Sequence, residues 1–92
     1  MSFNANESYP FYSNWNEVPA VYGIMNRQMQ MIYIGQTSNL KRRMVEHQMN
    51  LLHCMHRYGP AYVVAEVVYG EAVRCERERQ LILEFDPPCN LR

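Results

Sequence analysis

The chain has 92 residues, of which 48% are hydrophobic and 20% are charged. This size and balance predict one globular domain with a single modest core, and exclude a disordered chain or a second, separate recognition domain. The chain has nine basic and nine acidic residues, so its formal net charge is zero. The chain therefore lacks the basic excess of a free-standing nucleic-acid binder, and we expect weak nucleic-acid affinity of the monomer.

The sequence shows no signal for export and no membrane span. Its first ten residues lack a basic start and an apolar stretch, and its longest apolar run is too short to cross a bilayer. The three cysteines (Cys54, Cys75 and Cys89) are odd in number and lack framework spacing. We therefore expect reduced thiols in a cytoplasmic protein. We also expect no membrane partner and a prokaryotic or phage-encoded context.

Residues 1–18 form a polar and aromatic lead-in, and we place the domain at residues 19–92. The lead-in contains Tyr9, Phe11, Tyr12 and Trp15 among Ser, Asn and Pro. A disordered tail rarely holds so many aromatic residues. We therefore expect these side chains to pack on the domain.

Two stretches of β-branched and aromatic residues, at 20–24 and 31–35, flank a polar segment and predict an antiparallel hairpin. The first stretch contains Ala20-Val21-Tyr22 and the second contains Tyr33-Ile34-Gly35. Ten residues (23–32) separate the two tyrosines. A strand tyrosine is usually a core residue with a solvated hydroxyl, so neither tyrosine is diagnostic alone.

A helix follows the hairpin directly. Thr37 or Ser38 can cap this helix, which begins at residue 39 or 40. The helical pattern resumes from Met49 to about Arg57 and stops at a Tyr-Gly-Pro turn.

The second half of the chain predicts one more strand and one more helix. Valine enrichment predicts a strand over residues 61–69, and an amphipathic pattern predicts a helix from Glu71 to Phe85. The expected fold class is α/β (α+β): a small, three-stranded, mostly antiparallel sheet flanked by helices, in the order β-β-α-(α)-β-α.

Two polar side chains of the first helix lie on the face that should turn towards the sheet. Arg43 and His47 are one turn apart and share the spacing of the apolar Leu40 and Met44. The arginine fork suits phosphate oxygens, and histidine exchanges a proton near neutral pH. The pair is therefore a candidate for phosphodiester chemistry.

Glu78 interrupts the apolar stripe predicted for the last helix. It shares that stripe with three other residues: Cys75, Ile82 and Phe85. A carboxylate in such a stripe is costly unless it is paired with a cation or a metal. Two interpretations stay open, a metal ligand or a structural salt bridge with Arg74 or Arg79.

Zinc ligands are also present, but in the wrong arrangement. His53, Cys54 and His56 are crowded on one turn without a second ligand pair. This spacing fits no familiar zinc site, so we expect none.

In order and in register, these residues resemble the GIY-YIG nuclease domain over about residues 19–91. Ala20-Val21-Tyr22 aligns with the first motif of that family and Tyr33-Ile34-Gly35 with the second. Arg43, eight positions after the glycine, falls at the catalytic arginine of the family.

The remaining family positions are also filled. His47 falls where restriction and homing members have a histidine. Glu78 precedes Asn90 by twelve positions, as the metal-binding glutamate of the family precedes its terminal asparagine. Ala20 replaces a motif glycine and Gln36 a lysine of the excision-repair members. These departures concern efficiency more than mechanism.

The resemblance implies a metal-dependent endonuclease that hydrolyses DNA. Glu78 would hold one Mg²⁺ (or Mn²⁺) ion, and Arg43 would stabilise charge on the phosphoryl oxygens. Tyr22 would accept a proton from water with His47 holding or relaying it, and either residue could be the ultimate base.

Supporting roles are implied for other residues. Tyr33 would orient the water or phosphate, and Asn90 would brace the site. Lys41 and Arg42, with Arg43, would contact nucleic acid, although solvated side chains are the simpler explanation for the first two.

Alternatives remain at this point. The chain could be a non-cleaving or partner-dependent nucleic-acid-binding module, or a nuclease that acts on RNA. It could also work as a homodimer or as the catalytic subunit of a larger assembly.

Overall fold

The computed structural model describes residues 3–5 and 7–90. These residues form four strands, two α-helices and one 3₁₀ turn. In chain order they are β1 (Tyr9–Pro10), β2 (Ala20–Met25), β3 (Met31–Thr37), α1 (Leu40–Met49), the 3₁₀ turn (Cys54–Arg57), β4 (Tyr62–Val67) and α2 (Glu71–Phe85). The expected α+β fold with an antiparallel sheet is confirmed.

The sheet has four strands rather than three. Its order is β1-β4-β2-β3, and every pair is antiparallel. The extra strand comes from the lead-in, where Tyr9 and Pro10 pair with the start of β4. Two residues are too few to show a period, and proline is compatible with a strand only at an edge such as this one.

The helical segment expected over residues 49–57 is wrong except for its end. The backbone leaves the helix at Asn50, whose φ and ψ are −89° and 80°. A turn follows, and only Cys54–Arg57 forms a short 3₁₀ helix. The expected cap is also wrong, because the Asn39 side chain accepts the Arg42 N–H at 3.1 Å.

The sheet carries a helix on each face. On one face, Tyr22 and Ile24 of β2 pack with Leu40 and Met44 of α1 in the larger core. On the other face, a smaller core is formed by three buried residues: Val21, Ile34 and Leu81. This arrangement follows from the alternation of side chains along β2.

The lead-in packs only in part. Phe11 is fully buried, and Trp15 lies against the larger core. Tyr9 and Tyr12 are exposed. The division of the chain at residue 18 stays a prediction. The strand β1 lies before that residue and still belongs to the sheet.

Two of the three cysteines are joined, which corrects the expectation of reduced thiols. Cys54 in the 3₁₀ turn and Cys89 after α2 form a disulfide with Cα atoms 5.6 Å apart. Sequence spacing gave no hint, because the fold brings together residues 35 positions apart. Cys75 is free and exposed, so it does not belong to the buried stripe of α2. No helix in the described ranges is long and apolar enough to cross a membrane.

Candidate active site

Tyr22 and Gly35 form the centre of the site. They are direct partners across β2 and β3, and the tyrosine ring lies over the glycine. A β-carbon at Gly35 would overlap the Tyr22 hydroxyl and lie 2.6 Å from its Cζ atom. The two motifs therefore fit each other, because the ring of the first occupies the space that the glycine of the second leaves open.

The Tyr22 hydroxyl contacts the His47 imidazole. Its oxygen lies 2.7 Å from Nε2 of His47, which reaches the phenol from α1. Burial, helped by the charge of Arg43, lowers the pKa of His47 to about 3, and burial raises the pKa of Tyr22. Both groups are therefore neutral near pH 7, and the phenol donates to Nε2 when the imidazole proton is on Nδ1.

Tyr33 completes an aromatic cluster over the same face. Its ring centroid lies 6.3 Å from that of Tyr22, 5.5 Å from that of His47 and 4.9 Å from that of His53. The side chain is half-buried. One edge of the cluster thus remains open to solvent.

Arg43 lies beside the two phenols. Its Nη1 donates to Glu46 at 3.0 Å, and 40% of its side chain is exposed. Burial works against its charge, but hydrogen bonds to Glu46 and Tyr22 raise the pKa of Arg43 overall. In return, its charge acts to lower the pKa of Tyr22. A fixed cation with further N–H groups therefore faces the cluster.

Glu78 approaches from the other helix. Although α2 packs on the opposite face of the sheet, its carboxylate reaches the outer edge of β3, where the backbone N–H of Gln36 contacts it. Gln36 directly follows Gly35. Burial raises the pKa of Glu78, and its charge in turn contributes to raising that of Tyr22. The carboxylate thus lies within electrostatic range of the cluster.

The salt bridge considered for Glu78 is absent from the described residues. Arg74 donates to the Gln36 side chain at 3.1 Å and Arg79 pairs with Glu76. Glu78 is therefore a half-buried carboxylate with a raised pKa, and no cationic side chain among residues 3–5 and 7–90 neutralises it. An oxygen ligand of this kind fits Mg²⁺, which keeps several waters and needs few protein carboxylates.

No group of three or more His, Cys, Asp or Glu side chains suited to a metal occurs in the described residues. Two of the residues considered as zinc ligands have other partners. Cys54 is in the disulfide, and His56 Nε2 lies 2.8 Å from the backbone oxygen of His47. Any metal site at Glu78 would therefore take a single carboxylate from this part of the protein.

Asn90 holds the outer edge of β3. Its Oδ1 accepts the Ile34 N–H at 2.9 Å, and its Nδ2 donates to the Ile34 carbonyl at 2.8 Å. The preceding Cys89 N–H donates to the Ile32 carbonyl at 3.1 Å. The C-terminal segment therefore pairs with β3 beside Tyr33 and Gly35.

His53, which the sequence suggested only as a possible zinc ligand, is a further residue of the site. It lies against Tyr33 and His47 at the border of the cluster. Its position depends on the turn after α1, which the sequence pattern did not predict. Lys41 and Arg42 are exposed on α1, and their contact with nucleic acid stays a prediction.

A model of the GIY-YIG catalytic domain matches residues 18–90. The chain belongs to the GIY-YIG family. Among curated proteins, no relative matches it.

Solved GIY-YIG structures share this fold. The magnesium-bound N-terminal endonuclease domain of UvrC from Thermotoga maritima is 26% identical, with a TM-score of 0.72 over 83% of this chain and 86% of that one. A tyrosine-to-phenylalanine point mutant of the same domain, bound to its catalytic divalent cation, is 25% identical, with a TM-score of 0.68 over 84% and 87% of the two chains. This protein therefore has the fold of a metal-binding endonuclease domain.

Proposed function

We propose that this GIY-YIG protein is a metal-dependent endonuclease that hydrolyses phosphodiester bonds of DNA. The observation that carries the proposal is the 2.7 Å contact between the Tyr22 hydroxyl and His47 Nε2, next to the guanidinium of Arg43. A buried tyrosine hydroxyl needs a hydrogen-bond partner, but it does not need a cation beside it. A phenol that must pass on a proton beside a phosphate uses both.

Tyr22 and His47 act together on the attacking water. As the water oxygen bonds to phosphorus and the bond from phosphorus to the leaving oxygen breaks, the phenol oxygen takes a proton from the water and the phenol proton moves to Nε2 of His47. The low pKa of His47 follows from its burial, so the imidazolium readily returns its proton to the phenol oxygen, and the phenol gives up its other proton to the leaving oxygen. The relay is then reset for the next turnover.

Arg43 and Glu78 act on the negative charge that develops on the phosphate during cleavage. Only Nη1 of Arg43 is bound to Glu46, so its other N–H groups stabilise the charge that builds up on the phosphoryl oxygens. Glu78 would hold Mg²⁺ or Mn²⁺, and a cation there supplies Lewis-acid stabilisation of the scissile phosphate and the leaving oxygen.

Two residues support the reacting groups. Tyr33 is half-buried, with its ring 6.3 Å from that of Tyr22, and orients the water or the phosphate. Asn90 fixes β3 through both hydrogen bonds to Ile34, which keeps Tyr33 and Gly35 in register with Tyr22.

We expect the lone chain to bind DNA weakly. Arg77 binds Glu66 through Nε at 3.0 Å, and Arg79 pairs with Glu76, so these arginines contribute little field. The exposed positive charge on α1 comes from Lys41 and Arg42, beside Arg43. A second copy or a larger assembly would add the missing affinity.

The test is a cleavage panel with supercoiled plasmid, single-stranded DNA and RNA, each with Mg²⁺ or Mn²⁺. We expect the wild-type protein to cut DNA, and Arg43→Ala to be slower by about 10²–10³-fold, as expected for loss of one preorganised charge. Cleavage of RNA alone would shift the substrate class. An Arg43→Ala protein with the wild-type rate would contradict the proposed mechanism.

A further inference from the structure

His53 borders the site but belongs to none of the family motifs. Its ring centroid lies 4.9 Å from that of Tyr33 and 5.4 Å from that of His47, both in edge-on geometry. Burial lowers its pKa, and the charges of His56 and Arg43 add to the effect. The imidazole is therefore close to the groups assigned above to water and phosphate.

One hydrogen bond shows which nitrogen of His53 carries the proton. Nδ1 accepts the backbone N–H of Met55 at 3.1 Å and so caps the 3₁₀ turn. An accepting nitrogen has no proton. Because the lowered pKa keeps the ring neutral near pH 7, the single ring proton is on Nε2.

That proton is available to a ligand. Nε2 of His53 has no hydrogen-bond partner among the described residues, and none of their buried side-chain nitrogen or oxygen atoms lacks a partner. Nε2 therefore reaches solvent, on a side chain that is only half-buried. The turn thus holds a neutral N–H donor at the open edge of the aromatic cluster.

We propose that His53 is a substrate-binding residue whose Nε2–H donates a hydrogen bond to a non-bridging oxygen of a DNA phosphate, next to the oxygens bound by Arg43. The inference rests on the proposed function and names a further residue of that site. A neutral donor suits a chain with no net charge, because it adds a directional contact to phosphate without a cation.

Two substitutions separate this role from the capping role. His53→Asn keeps an oxygen short enough to accept the Met55 N–H but does not place a donor as far out as Nε2. His53→Gln carries an amide N–H near the position of Nε2 but loses the short cap. Each variant is therefore the control for the other.

We expect His53→Asn to unfold at the wild-type temperature and to lose about 10–100-fold in kcat/KM, the effect of one hydrogen bond to a charged group. His53→Gln should unfold at a lower temperature, yet stay within about threefold of the wild-type kcat/KM, because the donor is restored. Anisotropy with a short labelled duplex in EDTA at low salt measures binding without cleavage. The affinity for the duplex should be similar for the wild type and His53→Gln and lower for His53→Asn.

The proposal is overturned if His53→Asn binds and cuts like the wild type, a result that would assign His53 to the turn alone. It is also overturned if His53→Gln loses as much kcat/KM as His53→Asn, because the restored donor would then have no effect. Failure of the proposed function has a different signature, in which the wild-type protein itself neither binds nor cuts DNA.

Discussion

Tyr22 and His47 are both buried and both uncharged near pH 7, which suits a relay better than a single base. A phenol with a raised pKa is a poor base alone, and an imidazole with a pKa of about 3 is a poor base too. Linked at 2.7 Å, the two can shift protons together without a stable ion in the core. The rate of cleavage should therefore depend more on the hydrogen bond between the two groups than on the pKa of either group.

Replacing Tyr22 with phenylalanine tests the relay. The ring still covers Gly35, so the fold should survive, but Nε2 of His47 loses its partner at a cost of about 1–3 kcal/mol in the free energy of unfolding. We expect kcat to fall by at least about 10²-fold. Tyr12→Phe is the matched control, because that side chain is 69% exposed. Full activity of Tyr22→Phe would rule out the relay.

The buried neutral His47 also predicts how stability depends on pH. Its pKa falls from the ordinary 6.5 to about 3 on folding, so between these values the unfolded state binds a proton that the folded state does not. The free energy of unfolding should therefore decrease as the pH falls from about 6.5, by up to about 1.4 kcal/mol per pH unit.

Urea unfolding at several pH values measures this slope. His47→Gln should show a shallower slope over the same window, because the side chain no longer titrates. His53, whose pKa is also lowered, contributes in the same direction in both proteins. Equal slopes for the wild type and His47→Gln would show that His47 is not held neutral by the fold.

At the level of elements, the edge strand β3 organises the site. Along its outer edge, the side chain of Asn90 pairs with Ile34, and the backbone N–H of Gln36 contacts the carboxylate of Glu78. Its inner edge pairs with β2 and places Gly35 opposite Tyr22. One strand thus connects the phenols on one face with the carboxylate from the other helix.

Substitution by alanine should have different effects on stability and activity at the two strand glycines. A β-carbon at Gly35 meets the rigid, buried ring of Tyr22, whereas one at Gly23 meets chiefly the flexible end of Met31, with Cε at 2.9 Å. Gly35→Ala should therefore cost about 1–3 kcal/mol in stability and displace the phenol, with at least about tenfold lower kcat.

Gly23→Ala is the control on the same strand pair, and it should keep most of the activity because Met31 can move. Thermal unfolding and single-turnover cleavage of both variants provide the comparison. Equal losses in the two proteins would show that contact with Tyr22 is not why position 35 needs glycine.

The sequence predicted the long, periodic elements and missed the short ones. The hairpin, α1 and α2 follow from hydrophobic spacing, which is a local property. The two residues of β1 and the 3₁₀ turn have no period, and both are held by partners distant in sequence, β4 and Cys89 respectively. The candidate site shows the same division. Motif spacing is enough to propose Arg43, whereas the tautomer of His53 depends on the fold.

For the whole molecule, the proposed catalytic groups come from both layers of helix. Tyr22, Tyr33, Arg43 and His47 belong to the face of α1, and Glu78 comes from α2 and reaches them past the edge of β3. Burial raises the pKa of Glu78, so its charged form carries an unfavourable energy that a bound cation would relieve. The carboxylate is thus costly for folding, and the proposed metal binding would offset that cost.

The most direct test is single-turnover cleavage of duplex DNA against Mg²⁺ concentration for the wild type and Glu78→Gln. The wild-type rate should saturate with Mg²⁺, and Mg²⁺ should also raise its unfolding temperature by mass action. Glu78→Gln should be at least about 10²-fold slower at every Mg²⁺ concentration, with no rise in unfolding temperature. Cleavage by Glu78→Gln at the wild-type rate and with the same Mg²⁺ dependence would contradict a single site built from both faces of the sheet.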